Sequence, residues 1–257
     1  MVDYLFNGEK YNPLTNKESY KTFVLKNSEL ILRKEYNLST INTGNVVALI
    51  EGNVPILKNE FIILSAHLDH KGIQQNGVMN GADDNASGSA AVLEITEALA
   101  KSKPKRSVIC ALYTGEELGL LGSYYFTKNP PVPLRNIIAN INIDMIGRPD
   151  GISNELSAIG AERINPRLQE IIFNVNNKTM QIILDTVNYS NYHNRSDQYP
   201  FYLKRIPAVL FSTGEHKDYH TPADDADKID YEFMQKSCQL VYEIIMELAN
   251  GDISLKD

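Results

Sequence analysis

The chain has 257 residues, of which 43% are hydrophobic and 22% charged, and its formal net charge is −7 at pH 7. This composition is ordinary for a globular protein, and the acidic balance without a basic stripe argues against a nucleic-acid partner. No apolar run approaches the roughly 20 residues needed to cross a bilayer, and the two cysteines, Cys110 and Cys238, give no disulfide framework.

The N-terminus lacks a basic segment followed by an apolar one, so no signal peptide is predicted. The segment from Phe23 to about Glu51 then alternates, which predicts antiparallel strands at one edge of a sheet, over 31–33 and 45–50. Four apolar runs further along have the pattern of strands buried on both faces: 61–64, 108–113, 137–143 and 206–211. Weaker strand candidates are 156–159 and 182–187.

Helical spacing separates these strands. One helix follows Asn85 and ends at Lys103 and Pro104, two shorter ones cover 118–127 and 165–177, and the last covers 231–249 with Gly251 just beyond it. The alternation predicts an α/β fold with a mixed, mostly parallel sheet and helices on both faces. Because no repeat or linker is visible, we predict a single domain over 1–257, with about 1–40 as an edge segment.

Five short polar stretches stand out: 66–70, 81–88, 115–117, 142–145 and 219–222. Four of them lie at the end of a predicted strand or in the loop after it, and 81–88 leads into a helix. Open α/β sheets place their sites in loops at the carboxyl ends of strands. Their carboxylates and histidines therefore predict a co-catalytic site for two metal ions.

His67 and Asp69 point to the same side if strand geometry continues. A metal-binding histidine commonly donates its other N–H to a carboxylate, so His67 is a candidate ligand with Asp69 behind it. The alternative is a strand-end histidine beside an aspartate that caps a helix.

In 81–88, Asp84, Asn85 or Ser87 can cap the following helix, which leaves Asp83 free to reach elsewhere. A carboxylate that bridges two cations uses both oxygens, and a short side chain on a fixed loop suits that role. Simple helix capping is the alternative.

Glu116 and Glu117 are adjacent, so their side chains diverge. One can bind metal while the other takes the proton of a water molecule, although paired glutamates often just face solvent. Asp144 ends an apolar run, where a charge is costly unless it is paired or metal-bound.

His220 lies in a turn, and Asp224 either orients it or begins the next turn. Tyr192 and His193 precede a Ser–Asp pair, and one of them could donate a hydrogen bond to an oxyanion; an ordinary surface loop is the alternative. We interpret the remaining polar residues of these windows as rim residues without a required role: His70, His216 and Asp225.

As a set, the stretches 65–70, 80–88, 114–123, 142–147, 196–201 and 220–224 resemble the co-catalytic zinc aminopeptidases of the bacterial leucyl aminopeptidase type, in the same clan as glutamate carboxypeptidase. The resemblance runs from about Asn45 to Asp230 and implies a zinc-exopeptidase, phosphorylase/hydrolase-like architecture. It also implies a role for each residue. His67 and Asp144 bind one zinc, Glu117 and His220 bind the other, and the Asp83 carboxylate bridges the two. The Asp83–Asp84 peptide bond is cis, Glu116 is the general base, and Asp69 supports His67.

The same resemblance implies hydrolysis of N-terminal peptide bonds, two Zn²⁺ per chain with Co²⁺ or Mn²⁺ as substitutes, and a peptide with a free N-terminus as substrate. A tyrosine near the Ser–Asp pair helps stabilise the transition state in this family; here His193 stands at that place, with Tyr192 beside it. The stretch 45–52 further resembles secreted members with an upstream protease-associated domain. That likeness implies a secreted or periplasmic protein whose residues 1–40 are the remnant of a trimmed domain, with a cytoplasmic location still open.

Three alternatives remain at this stage. A glutaminyl cyclase-like transferase would usually keep one metal, and an inactive binding module would have a broken ligand set. All five implied ligands are present, which favours the two-metal aminopeptidase over both. A carboxypeptidase of the same clan stays open because the specificity pocket cannot be located from the sequence.

Overall fold

The computed structural model describes residues 4–6, 9–11, 40, 42–149, 154–187, 190–253 and 255. The chain divides into two compact units, 1–41 and 42–257. In the first unit, strands β1 (Tyr4–Phe6) and β2 (Glu9–Tyr11) pair antiparallel. The strand predicted over 31–33 lies outside the described residues, and the single domain over 1–257 with its edge segment stays a prediction.

The second unit is built on a seven-stranded mixed sheet. Its strands, with a separate small hairpin of β5 and β6, are β3 (Val46–Ile50), β4 (Phe61–His67), β5 (Ile73–Gln74), β6 (Gly77–Val78), β7 (Ser107–Tyr113), β8 (Ile137–Ile143), β9 (Glu155–Ile159), β10 (Ile183–Asp185) and β11 (Ala208–Ser212). The order across the sheet is β10-β9-β11-β8-β4-β7-β3. The four central strands β11, β8, β4 and β7 are parallel, whereas β3 is antiparallel to β7 and β9 is antiparallel to β11. The predicted mixed, mostly parallel sheet is therefore confirmed, with β3 as the predicted antiparallel edge strand.

Strand β4 explains why the central strands appear as continuous apolar runs. All seven of its residues are buried. Ile62 and Leu64 belong to the core on one face of the sheet, while Ile63 belongs to the core on the other. Successive side chains point to opposite faces, so a strand covered on both sides needs apolar residues at every position.

Helices cover both faces. They are α1 (Gly88–Ser102), α2 (Leu121–Lys128), α3 (Pro166–Lys178), α4 (Tyr199–Leu203) and α5 (Tyr231–Asn250), with short 3₁₀ turns at Leu134–Asn136, Ser190–Tyr192 and Ala226–Lys228. Residues of α1, α3 and α5 share one core, and Phe126 of α2 and Phe201 of α4 lie in the other. The long helix α5 begins where the Asp230 side chain accepts a hydrogen bond from the Phe233 N–H, a helix cap that the sequence analysis did not include.

The parallel arrangement of β4, β7, β8 and β11 brings their carboxyl ends to one edge of the sheet, so the loops that follow them meet there. No helix in the described part of the chain combines the length and the apolar character needed to span a bilayer.

Candidate metal centre

The first group of convergent side chains lies at the ends of β4 and β8. His67 is the last residue of β4, and Asp144 directly follows β8. The His67 Nε2 atom is 3.3 Å from Oδ1 of Asp144 and 3.3 Å from Oδ1 of Asp84. One donor atom from each of these three residues lies within 4.8 Å of the others, a spacing that could hold a metal ion.

A second group lies beside the first and shares Asp84 with it. His70, Asp84 and Glu117 also offer donor atoms within 4.8 Å of one another. The Nε2 atom of His220 is 3.0 Å from Oδ2 of Asp84 and 3.3 Å from Oε2 of Glu117. Asp84 therefore directs Oδ1 to the first group and Oδ2 to the second, which is the arrangement that a bridging carboxylate requires.

Two imidazoles approach the second group. His70 Nδ1 is 2.9 Å from Oε1 of Glu117 but 3.6 Å from Oδ2 of Asp84, whereas His220 is within 3.3 Å of both carboxylates. His70 belongs to the three-residue cluster with Asp84 and Glu117, while His220 makes the more even approach to the two acids. His220 is therefore the imidazole that lies close to both Asp84 and Glu117.

Asp83 takes a different position from the one predicted. Its carboxylate accepts a 2.7 Å hydrogen bond from the Gly147 N–H, and its other oxygen is 3.3 Å from Nε2 of His216, so it belongs to neither donor group. The cis peptide bond is likewise one residue further on, at Asp84–Asn85 rather than Asp83–Asp84. The backbone at Asp84 is non-helical, with φ −103° and ψ 91°. Of the three capping candidates, Asn85 is the one whose side chain accepts a backbone N–H at the helix start, that of Gly88 at 2.9 Å.

Asp224 holds the loop that carries Asp84. Its fully buried carboxylate accepts hydrogen bonds from the backbone N–H groups of Asp83, at 3.0 and 3.1 Å, and of Asp84, at 3.1 Å. The sequence offered two roles for Asp224, orienting His220 or beginning the next turn, and the structure gives its carboxylate these backbone contacts instead. Through these bonds a single carboxylate orients the backbone of both adjacent acids.

Asp69 plays a comparable part for the two glutamates. Its carboxylate accepts the N–H of Glu116 at 3.1 Å and the N–H of Glu117 at 3.3 Å. His67 Nδ1 is 3.0 Å from the backbone carbonyl of Asp69, while the carboxylate is 3.8 Å away. Asp69 thus lies behind His67 as predicted, but its carbonyl oxygen makes the closer contact.

The two neighbouring glutamates have pKa values pushed in opposite directions. Burial, together with the charge of Asp144, raises the pKa of Glu116 to about 9. Burial also acts to raise the pKa of Glu117, but the close approach of the His70 imidazole and the Lys71 ammonium outweighs it and lowers that pKa below its ordinary value. Such a split is the usual sign that adjacent carboxylates have different tasks.

Asp84 is held in its charged form. Burial opposes its ionisation, yet the close approach of the His220 and His67 imidazoles outweighs the burial and brings the pKa of Asp84 well below its ordinary value. For His67, burial acts to lower the pKa, and the charge of Asp144 overrides it, so the pKa of His67 lies well above its ordinary range. The site thus concentrates negative charge around a few imidazoles, which a cation would neutralise.

The donor chemistry fits zinc. Imidazole nitrogens and carboxylate oxygens, with no thiolate, are ligands that zinc shares with cobalt and manganese. Buried atoms of the second group, Oε1 of Glu117 and Nε2 of His220, approach their neighbours closely yet make no hydrogen bond of acceptable geometry within the described residues. Buried polar atoms are normally hydrogen-bonded, so this convergence is what metal ligands require.

A cavity opens beside the first group. Its wall includes Glu116, and its apolar side is formed by three buried residues, Met145, Ile159 and Leu210. Tyr192 lines the cavity too, with the Arg195 guanidinium 4.5 Å from its ring centre, and Arg195 pairs with Glu215 at 3.0 Å.

His193 does not line this cavity. It is buried against Tyr199 and Tyr202, and burial together with the charge of Arg163 lowers its pKa to about 4. Of the two residues proposed as transition-state contacts, Tyr192 is therefore the one placed at the cavity.

Residues 45–245 also match the sequence pattern of Peptidase family M28. The chain belongs to this family. The predicted relationship to the zinc aminopeptidases is thereby confirmed at the level of the family.

Individual relatives cover different parts of this M28 chain. An aminopeptidase of Pseudomonas aeruginosa is 40% identical over 111 residues, which are 42% of this chain and 19% of that protein. A zinc aminopeptidase from Bacillus subtilis shares the fold with a TM-score of 0.69 and 23% identity, over 83% of this chain and 52% of that one. Glutaminyl cyclase from Porphyromonas gingivalis shares it with a TM-score of 0.62 and 20% identity, over 79% and 77%. The chain thus spans about a fifth of the Pseudomonas protein and about half of the Bacillus one.

Sequence reasoning overlooked several residues of the M28 site. His70 and His216 were placed on the rim, but His70 contacts Glu117 and His216 contacts Asp83. Lys71 was not considered, although its ammonium is 2.6 Å from Glu117. The clustering of all five histidines in three short windows was the available signal for the two histidines, whereas a lysine next to a loop glycine gives none.

Proposed function

We propose that this chain is an aminopeptidase that hydrolyses the first peptide bond of a peptide with the help of two zinc ions. In this proposal His67 and Asp144 would hold one zinc, Glu117 and His220 would hold the other, and Asp84 rather than Asp83 would contribute to both. The observation that carries the proposal is the position of Asp84, whose two oxygens face two separate donor groups.

Zinc ions bound there would supply Lewis acidity toward the scissile carbonyl and toward a water molecule. The protein's own contribution is a base, and Glu116 is the residue we assign to it. It lines the cavity beside the first group, it is in neither donor group, and its pKa is raised to about 9 by burial and by Asp144. That value holds for the protein without metal, and the positive charge of zinc ions bound nearby would lower it and favour the ionised carboxylate. The ionised Glu116 would then take a proton from water and deliver it to the leaving amine.

The cavity supports a peptide with a free N-terminus as the substrate. Its acidic wall suits a protonated α-amine, and its apolar side, Met145, Ile159 and Leu210, suits an uncharged first side chain. The aminopeptidase from Pseudomonas aeruginosa, 40% identical over the matched segment, gives independent support for removal of N-terminal residues.

The test is a Glu116→Gln variant assayed on aminoacyl-nitroanilides, with zinc counted by elemental analysis. The amide removes only the proton acceptor, so both zinc ions should remain while turnover falls by at least about a hundredfold. A matched control is Glu232→Gln on α5, where the side chain is 80% exposed, and its activity should not change. Full activity of Glu116→Gln, or loss of zinc from it, would contradict the assignment.

Substrate variants separate the proposal from its rivals. A peptide with N-terminal glutamine should be shortened by one residue, whereas a glutaminyl cyclase would release ammonia without shortening it. Acetylation of the peptide N-terminus should abolish turnover, whereas a carboxypeptidase would still remove the last residue. Secretion or a periplasmic location stays a prediction, which N-terminal sequencing of the natural protein in cell fractions would test.

A further inference from the structure

A lysine occupies the second donor group but not the first. The Lys71 Nζ atom is 2.6 Å from Oε2 of Glu117, and His70 Nδ1 is 2.9 Å from Oε1 of the same carboxylate. Each oxygen of Glu117 therefore lies within 2.9 Å of a side-chain nitrogen of one of the two consecutive residues His70 and Lys71. The Glu117 side chain is only 7% exposed, so water provides little screening at this contact.

In the first group, the described residues include no lysine or arginine within ion-pair distance of Asp84 or Asp144. Within the described residues, the ion-pair contacts of Asp84 and Asp144 are all made with histidines. The remaining close contact of Asp144 is a 2.6 Å hydrogen bond from the Ser196 hydroxyl, which carries no charge. The two groups thus share a carboxylate and differ in having a permanent positive charge at one of them.

We propose that Lys71 competes with the second zinc for Glu117, so that the two metal sites differ in affinity and the second is the exchangeable one. This inference rests on the proposed two-zinc function and concerns the regulation of that same site. Lys71 must leave Glu117 before the carboxylate can bind a metal, and an ammonium that stays nearby repels a dication.

The local structure allows Lys71 to move away. Its side chain is 30% exposed, and the next residue, Gly72, has a φ of +65°, a backbone conformation that suits glycine. The lysine stem is flexible, and its ammonium is well hydrated once it reaches solvent. Competition of this kind lowers the zinc affinity of the second site without abolishing zinc binding. Activity would therefore rise with zinc concentration over the range in which the second site fills.

Calorimetric titration of the metal-free 257-residue chain with zinc tests the inference, because binding is read directly and without turnover. Lys71→Met removes the charge and keeps much of the stem, whereas Lys71→Arg keeps the charge. Lys101→Met is the matched control: Lys101 pairs with Glu97 on the surface of α1 and is 74% exposed, so the variant changes net charge equally but away from the site.

We expect two binding events in the natural sequence. Lys71→Met should tighten the second by about tenfold or more, the size expected for removing a like charge a few ångströms from a dication, and should leave the first within about twofold. Lys71→Arg and Lys101→Met should match the natural sequence. A single zinc in the natural chain and two in Lys71→Met would also support the inference.

Equal second-site affinity in the natural sequence and in Lys71→Met would overturn it, as would equal tightening by Lys101→Met. A single zinc-binding event of the same affinity in every variant would overturn it as well. That result would also contradict the proposal that the chain binds two zinc ions. Peptide hydrolysis by the same preparations then decides separately whether the chain is an aminopeptidase, so the two failures are distinguishable.

Discussion

The two donor groups of this site are built from different parts of the fold. The first stands on strand ends: His67 terminates β4 and is 1% exposed, and Asp144 follows β8 directly. The second stands on loops, with His220 at 29% exposure and Lys71 at its side. Side chains on strand ends are held by the sheet, whereas loop residues can rearrange. The comparison therefore suggests a rigid first site and an adaptable second one.

Asp84 belongs to both regions, so changing it should have the largest effect. Asp84→Asn removes a charge from both donor groups, and we expect zinc affinity at each to fall by more than about a hundredfold, the upper end of the loss seen when a residue that merely supports a ligand is removed. Elemental analysis after dialysis at fixed free zinc measures this.

Asp83→Asn is the matched control for that change. It alters the adjacent acid, which bonds to the Gly147 N–H instead of facing the donor groups. Both zinc ions should remain, although stability should fall by about 1–3 kcal/mol because a buried charged hydrogen bond is weakened. If Asp83→Asn lost both metals and Asp84→Asn kept them, the bridging role would return to Asp83.

The second prediction concerns the loop-built group alone. His220→Ala should weaken only the second zinc, and excess zinc should restore part of the activity. His70→Ala should have a smaller effect, because His70 is within 3.3 Å of one carboxylate only, Glu117, whereas His220 is that close to two. Zinc-activation curves of the two variants at saturating substrate provide the measurement, and a larger shift for His70→Ala would exchange their roles.

The same contrast explains what the sequence could and could not predict. The long apolar runs predicted strands β4, β7, β8 and β11, because strands buried on both faces need apolar residues throughout. The strand-end side chains His67 and Asp144 followed directly, since the carboxyl ends of parallel strands meet at one edge.

The sequence could not decide which of Asp83 and Asp84 faces both donor groups. Two identical neighbouring side chains carry no local signal, and the answer depends on a non-helical backbone at Asp84 and on N–H bonds to Asp224, which is 140 residues away. The short helix α4 was missed because five residues are too few to establish a helical period.

The smallest expected effect concerns the buried support of the first group. Ser196 donates a hydrogen bond to Asp144, and the next residue, Asp197, accepts a 2.5 Å hydrogen bond from the Ser123 hydroxyl of α2. Asp197 is fully buried, and burial raises its pKa from 3.8 to about 7. The network behind the rigid site thus contains a carboxyl group that keeps its proton up to near-neutral pH.

The sign of the resulting pH dependence follows from which state binds the proton. Between pH 4 and pH 7 the unfolded chain has released a proton that the folded protein retains, so the stability contributed by Asp197 is present at low pH and is lost as the pH rises to about 7. The slope from one such group is at most about 1.4 kcal/mol per pH unit. Asp197→Asn removes the titration, and its unfolding free energy should fall less steeply over this window than that of the natural sequence.

Urea unfolding of the metal-free protein at several pH values between 4 and 8 measures this slope for both chains. Ser123→Ala sharpens the test, because the serine hydrogen bond lowers the pKa of Asp197 and its loss should move the end of the window to higher pH. Identical slopes for the natural sequence and Asp197→Asn would mean that Asp197 is ionised in the folded protein. Asp197 would then be a buried charge that the Ser123 hydroxyl stabilises through its hydrogen bond.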